Sequence, residues 1–413
     1  MDTHSTQPLV HYRPARQRPW VPHPSREEPP LEPSDTPHPL WHIAFVLAVA
    51  LLLAITAYRA VAIHQPGGDH YLYMAHHLAR GQLHVDDLPF YYPDYVEWQG
   101  HKYLPFGLLP GVALLPFVEL LPFAFFLPLG LAHDFSWVGH LYSLLNVWLL
   151  WKVLGRAGVV GERRRWATLL FFGGTFYFAQ AFVSNSWYFS HVIAVTCMLA
   201  AMWAALGKRR PFLVGIFLGL AGLTRVTTLF ALPFFLWLMW RTREAGEASV
   251  PESATPTLRR RSARLAAHIG LLALGLAGPI AVLLLYDYLR FGNPLESGYS
   301  LSAQNSLIPS LDAARRDFGL FSLAHIPKNL FLLFLQGPLP YPELDVAVLQ
   351  FPYVRPSSWG LGLFFASPAL LYAFRANIRH PLTQACWLGT LCALVPVITH
   401  FAPGWVQFGY RYT

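Results

Sequence analysis

Charge is scarce in this chain. Only 13% of its 413 residues are Asp, Glu, Lys or Arg, while 54% are hydrophobic and mean hydropathy is +0.37. A soluble domain carries about twice that charged fraction, which excludes an ordinary water-soluble fold. Cysteine is almost missing as well. Cys197, Cys386 and Cys392 all lie inside apolar runs, and an odd number without CxxC spacing excludes both a disulfide framework and a cysteine-based zinc site. They read as small buried side chains. Basic faces interleaved with aromatics are lacking too. The net charge of +8 comes from short Arg/Lys clusters between apolar runs, so no nucleic-acid partner is expected. Charge within the apolar runs is rarest of all, and no internal repeat is visible. Both absences weigh against a transporter or lipid flippase. That class stays open as an alternative, as does a membrane protein without catalytic activity.

What is present is a series of apolar runs of about 17–25 residues, the length at which a helix spans a bilayer. The expected architecture is an all-α, polytopic transmembrane helical bundle. Residues 1–40 are polar and Pro-rich and cannot bury enough apolar surface to order themselves, so they read as a disordered cytoplasmic tail. Residues 41–413 form the membrane domain. Crossings are expected at 41–63, 135–154, 166–183, 191–206, 265–285, 359–374 and 382–401, with a hairpin over 212–240. The Pro-punctuated stretch 104–132 is expected to lie at the interface or re-enter without crossing. Arg156, Arg163, Arg164, Arg165, Lys208, Arg209, Arg210 and the linker 241–264 mark the cytoplasmic side. By parity, a large first loop (67–132), a second large loop (287–358), the tip of the hairpin at Arg225 and the C-terminal segment all fall on the extracytoplasmic side.

The first loop carries most of the acidic residues between apolar runs: Asp69, Asp86, Asp87, Asp94 and Glu97. Tyr71, Met74, Ala75 and Leu78 form the i, i+3, i+4, i+7 stripe of a short amphipathic helix, with Asp69 placed to cap its start and Gly81 to end it. A face of this kind suits transfer from a lipid-linked phosphate donor. Cations must hold the phosphate, and a carboxylate must take a proton from the acceptor hydroxyl. Asp69 is the candidate base. Arg225, Arg290, Lys102, Arg355 and Arg411 are the candidate phosphate ligands; an arginine as deep in an apolar hairpin as Arg225 calls for an anionic partner. His70, Asp86, Asp87 and Asp94 are candidates for contact with the acceptor or a divalent cation. His64, His70, His76, His77, His84 and His101 crowd the same loop, but none has HExxH or comparable spacing, so a tightly bound metal is not predicted.

The segments GGDHYLYMAHHLARGQL (67–83) and GHKYLPFGLLPGVALLPF (100–117) resemble the first outer loop of the GT-C superfamily. These are multispan glycosyltransferases using polyprenyl-phosphate sugars, such as the protein O-mannosyltransferases and aminoarabinose transferases. GLAGLTRVTTLFALP (219–233) is similar to their short helical hairpin. YDYLRFGNPLESGYS (286–300), WGLGLFFASPALLYA (359–373) and GWVQFGYRY (404–412) resemble a prokaryotic, family-39-like branch. The resemblance covers most of 41–413. It implies inverting transfer of a hexosyl or pentosyl group from a polyprenyl-phosphate donor, at the outer leaflet of a cell membrane, to a hydroxyl on a glycan, lipid or protein. It also implies that Asp69, at the position of the superfamily's catalytic base, deprotonates that hydroxyl. Two positions depart from the pattern. His70 stands where a second acidic residue is common, and relatives continue into further spans where this sequence stops, so a truncated C-terminus is expected.

Overall fold

The structure is a computed structural model, and it describes residues 69–89, 94–120, 136–207, 210–247, 258–301, 309–341, 351 and 353–404. The expected tail, the expected crossing at 41–63, and Arg411 lie outside the described residues. Within them the chain is mostly helical. In order it forms α1 (His70–Ala79), a β-hairpin of β1 (Val96–Trp98) and β2 (His101–Tyr103), α2 (Leu108–Leu120), α3 (Ser136–Arg156), α4 (Gly161–Gly173) and α5 (Tyr177–Val183). There follow α6 (Ser186–Leu206), α7 (Pro211–Thr224), α8 (Leu232–Glu247), α9 (Leu258–Phe291) and α10 (Pro309–Phe318), then α11 (Ile326–Leu330), α12 (Leu363–Ala366) and α13 (Pro381–Thr399).

Three of these are long and apolar enough to cross a membrane: α6, the part Leu265–Phe291 of α9, and α13. α4 and α5, bent by 55° at their junction, would supply a fourth if they act as one span. Large apolar side chains on α9 face outward, with Leu274 63% and Leu285 55% exposed. A soluble monomer rarely presents such a stripe, whereas lipid solvates it. Two expected crossings come out differently. Residues 135–154 do form a helix, α3, but His140, Ser143 and Asn146 are buried along it, and it is not among the three apolar spans. Asn146 donates to the Tyr177 hydroxyl at 2.6 Å and to the Val192 carbonyl at 2.9 Å, so this polar stripe locks α3 onto α5 and α6. Residues 359–374 form no single helix. Ser367 and Pro368 divide the segment into the four-residue α12 and a 3₁₀ stretch, Pro368–Arg375, because proline cannot donate to the preceding turn.

The hairpin over 212–240 is present. α7 ends at Arg225, whose backbone is extended, and a 3₁₀ turn (Val226–Ala231) reverses the chain into α8. Pro211 and Val214 from the start of α7 line one small cavity with Leu238 and Met239 midway along α8, so the two limbs run back side by side. α7 also meets α9 at backbone contact. A Cβ on Gly215 would collide with the Leu272 carbonyl, and one on Gly275 with the Phe212 carbonyl. Small residues allow this approach between helices that hydrophobic burial alone cannot drive together in lipid. At the opposite end from Arg225, Arg156 stacks on Trp203 at 3.8 Å and Arg164 on Trp151 at 4.2 Å.

The opening loop is ordered by its own core. Tyr71, Met74 and Ala75 are buried with Val85, Leu88, Leu104 and Leu114, and Leu78 packs against them, so the expected stripe is the inner face of α1. Gly81, at φ +73°, turns the chain out of the helix. Asp69 takes the expected N-cap position, its backbone oxygen accepting from Leu72 and Tyr73, but its side chain makes no capping bond. The β-hairpin reverses at Gln99–Gly100, both with positive φ, the twist a two-residue hairpin turn requires.

Candidate functional site

At one end of the bundle three segments are hung on α6, which acts as their post. The His70 N–H donates to Ser186 Oγ at 2.7 Å, and His70 Nδ1 lies 2.8 Å from the same oxygen. One helical turn further on, Ser190 Oγ accepts from Arg225 Nε at 3.0 Å; the Trp187 carbonyl accepts from the other end of that guanidinium at 3.2 Å. Residues four apart share a helix face. The Asp69–His70 peptide and the Arg225 guanidinium are therefore mounted on adjacent turns of one face. Between them sits Trp187, whose ring is 5.3 Å from His70 and whose Nε1–H donates to Asp94 at 2.9 Å. Asp94 holds this position with φ +59°, a left-handed conformation that Asp tolerates better than most residues.

Two further contacts fix the loop against the bundle. Gly107 lies so close to the Leu223 and Thr224 carbonyls that a Cβ there would overlap both. Arg290, 4% exposed, donates to the Leu104 carbonyl at 2.7 Å and pairs with Asp287 at 2.5 Å, its plane 3.8 Å from the Tyr286 ring. Arg290 was expected to reach a phosphate; its position makes it a buried tie between α9 and the loop. Lys102 is likewise turned to the Leu88 carbonyl at 3.1 Å and to the Tyr95 ring. Arg355 lies on the exposed short strand Val354–Arg355, paired antiparallel with the half-buried Leu339–Pro340.

Two basic side chains outside the expected set, Lys328 and His400, lie at one end of α13, and the charges of Lys328 and Arg225 both act on His400. Lys328, on α11, donates to the Phe401 carbonyl at 2.6 Å, and burial lowers its pKa below that of a free lysine. His400, at the end of α13, is driven toward its neutral form by burial first, and then by the charges of His325, Lys328 and Arg225. Asn329 bonds to the Ile398 and His400 carbonyls and pins α11 to that end of α13. A lone lysine within the apolar stretch 323–335 was the available signal, by the reasoning that singled out Arg225. Tyr71 is buried beside this group. Desolvation raises its pKa, against an opposing effect of Arg225, so it is a neutral hydroxyl.

The remaining acidic candidates lie elsewhere on the loop. Asp87 pairs with His77 Nε2 at 2.8 Å. Asp86 is approached by His84 Nδ1 at 2.9 Å and His101 Nδ1 at 2.8 Å, while its other oxygen accepts from the Lys102 N–H at 2.8 Å. Desolvation by itself would raise the Asp86 pKa. The Lys102 and His101 hydrogen bonds and the charges of both rings outweigh it and hold the carboxyl below its usual range. This group sits beyond the far end of α1 from Asp69, about 15 Å along the helix at 1.5 Å per residue. His70 belongs to neither arrangement as a ligand: it is fully buried, edge-on to Phe106 at 5.0 Å.

The arrangement on α6 brings the Arg225 guanidinium to one turn and the Asp69–His70 peptide to the next, and a guanidinium so placed can hold an anion. Comparison of the chain with family models, with curated proteins and with solved structures finds no match in any of the three, so the reading of this site stands on its geometry.

Proposed function

We propose that the chain is a GT-C-like membrane glycosyltransferase. In this reading it moves a sugar from a polyprenyl-phosphate donor to a hydroxyl acceptor at the extracytoplasmic face. The observation that carries the reading is the mounting of Asp69–His70 and Arg225 on adjacent turns of α6, through Ser186 and Ser190. A guanidinium to hold the phosphate and a single carboxylate as base suit a transfer in which phosphate leaves as an anion and the nucleophile needs only a base. Asp69 takes the proton from the acceptor hydroxyl as its oxygen attacks the anomeric carbon. The bond from that carbon to phosphate oxygen breaks with inversion, and Arg225 holds the phosphate. The arginine clusters at the other end of the bundle favour placing that end in the cytoplasm.

The test uses purified protein with a radiolabelled polyprenyl-phosphate sugar and a hydroxyl acceptor. Asp69→Asn is expected to lose about 10²–10⁴-fold in turnover, the usual contribution of a general base, with donor binding retained. Arg225→Gln is expected to weaken donor binding first. Equal turnover in wild type and Asp69→Asn overturns the assignment.

A further inference from the structure

A second cluster on the loop has a different chemistry. His84 precedes the turn at Asp86–Asp87, and His101 begins β2; the Val85 N–H donates to the Lys102 carbonyl at 2.7 Å and staples turn to strand. Val85 and Tyr103 are buried beneath, so both pieces are seated on packed side chains. The His84 and His101 rings lie 4.4 Å apart and aim Nδ1 at the same Asp86 oxygen. The three donor atoms fall within 4.8 Å of one another.

Hydrogen bonding accounts for only part of this. His101 Nδ1 meets the Asp86 oxygen in good geometry, at 2.8 Å. His84 Nδ1 is shielded from solvent and stands 2.9 Å from that oxygen, yet it is not aligned to share a proton with it or with any other group. Two ring nitrogens and a carboxylate oxygen converging on one point is the pattern a cation resolves, since each then offers a lone pair to a common centre. Nitrogen and oxygen ligands at about 2.0–2.2 Å from a zinc ion lie roughly 3.0–3.5 Å from one another. The separations from Asp86 fall a few tenths of an ångström short of that, within reach of a ring rotation.

We propose that His84, Asp86 and His101 bind a divalent transition-metal ion, of which zinc is the prime case. Two imidazoles select against Mg²⁺ and Ca²⁺, which take oxygen ligands. Three protein ligands leave a fourth position for water or a substrate oxygen. The Lys102 N–H orients the carboxylate from behind. His77 is not a fourth ligand, because its two ring nitrogens are taken by Gln82 at 3.0 Å and Asp87 at 2.8 Å. The site does not depend on glycosyl transfer, and its readout is the metal itself.

The experiment titrates Zn²⁺ into untagged full-length protein in detergent, after EDTA treatment, by calorimetry. Co²⁺ absorption reports the ligand field in parallel. One Zn²⁺ per chain is expected. Asp86→Asn and the double variant His84→Ala/His101→Ala are expected to weaken it by well over about 10-fold, the lower end of losses seen when groups supporting a metal site are altered. Asp87→Asn should bind as wild type does, and His101→Cys, which keeps a ligand, should bind more tightly than His101→Ala. A thermal shift on Zn²⁺ addition that vanishes in the double variant separates lost ligands from lost fold. Undiminished binding in the double variant, or no binding by wild type at pH 7.5 where unperturbed imidazoles are neutral, overturns the proposal.

Discussion

Replacing Ser186 by alanine removes one oxygen that two groups of His70 use, its backbone N–H at 2.7 Å and its ring Nδ1 at 2.8 Å. Both His70 and Ser186 are buried, so no bulk water replaces the hydroxyl. Removing a partner from a buried polar group costs about 1–3 kcal/mol, which for two bonds sets the expectation at roughly 2–4 kcal/mol after partial relaxation. Thermal unfolding in detergent, followed by tryptophan fluorescence, should show a midpoint several degrees lower, and Ser186→Thr should recover most of it. The loss should also be local. Asp69 is one residue from the broken bond, so protease or hydrogen-exchange protection should fall at the start of α1 before it falls in α6 or α9. A Ser186→Ala protein that melts with wild type and keeps α1 protected would refute the view that α6 positions this loop.

Other consequences are as direct. Gly275→Ala should lower thermal stability by about 1–3 kcal/mol or prevent assembly, because its Cβ would meet the Phe212 carbonyl at the α7–α9 contact; Gly278→Ala, which opens onto free space three residues away, should not. His400 is held below its ordinary pKa, so the folded state favours its neutral form. Its stabilising effect is full above the unfolded value of about 6.5 and is lost as pH falls from there through the folded value. The stability difference between wild type and His400→Asn, measured by thermal shift from pH 8 to pH 5, should therefore narrow or reverse on acidification. Gly107→Ala should push the loop off the end of α7 and weaken any ligand held by Arg225, read as a raised KM or Kd for polyprenyl phosphate.

Much of this was legible in advance where a single helix or turn decides the matter. The Tyr71–Leu78 stripe, the turn at Gly81, the 191–206 part of α6 and the hairpin broken at Arg225 each follow from local periodicity or from one residue out of place, although α6 begins at Ser186, within the stretch that reads as a turn. The failures have a common cause, which is dependence on partners distant in sequence. Nothing in the run at 359–374 says that Ser367 will accept from the Phe176 N–H at 2.8 Å, a bond across 191 residues that holds the break between α12 and the 3₁₀ stretch. Arg290 read as an available cation because nothing near it in sequence says that its guanidinium will donate to the Leu104 carbonyl, 186 residues away. The residues of the histidine–aspartate group were weighed in sequence but not joined, because they come from a turn and a strand with no fixed spacing to search for. What brings His101 to Asp86 is the Val85–Lys102 backbone bond.

α9 has one more implication. It runs unbroken for 34 residues, about 50 Å at 1.5 Å per residue, and near its last turn the Arg290 side chain grips the Leu104 carbonyl. A rod clamped so close to its tip acts as a lever: tilting it by five degrees about the far end sweeps the tip through about 4 Å. Whatever grips the basic Leu258–Leu265 foot of that rod can thus be felt by the opening loop about 50 Å away, with no ligand passing between.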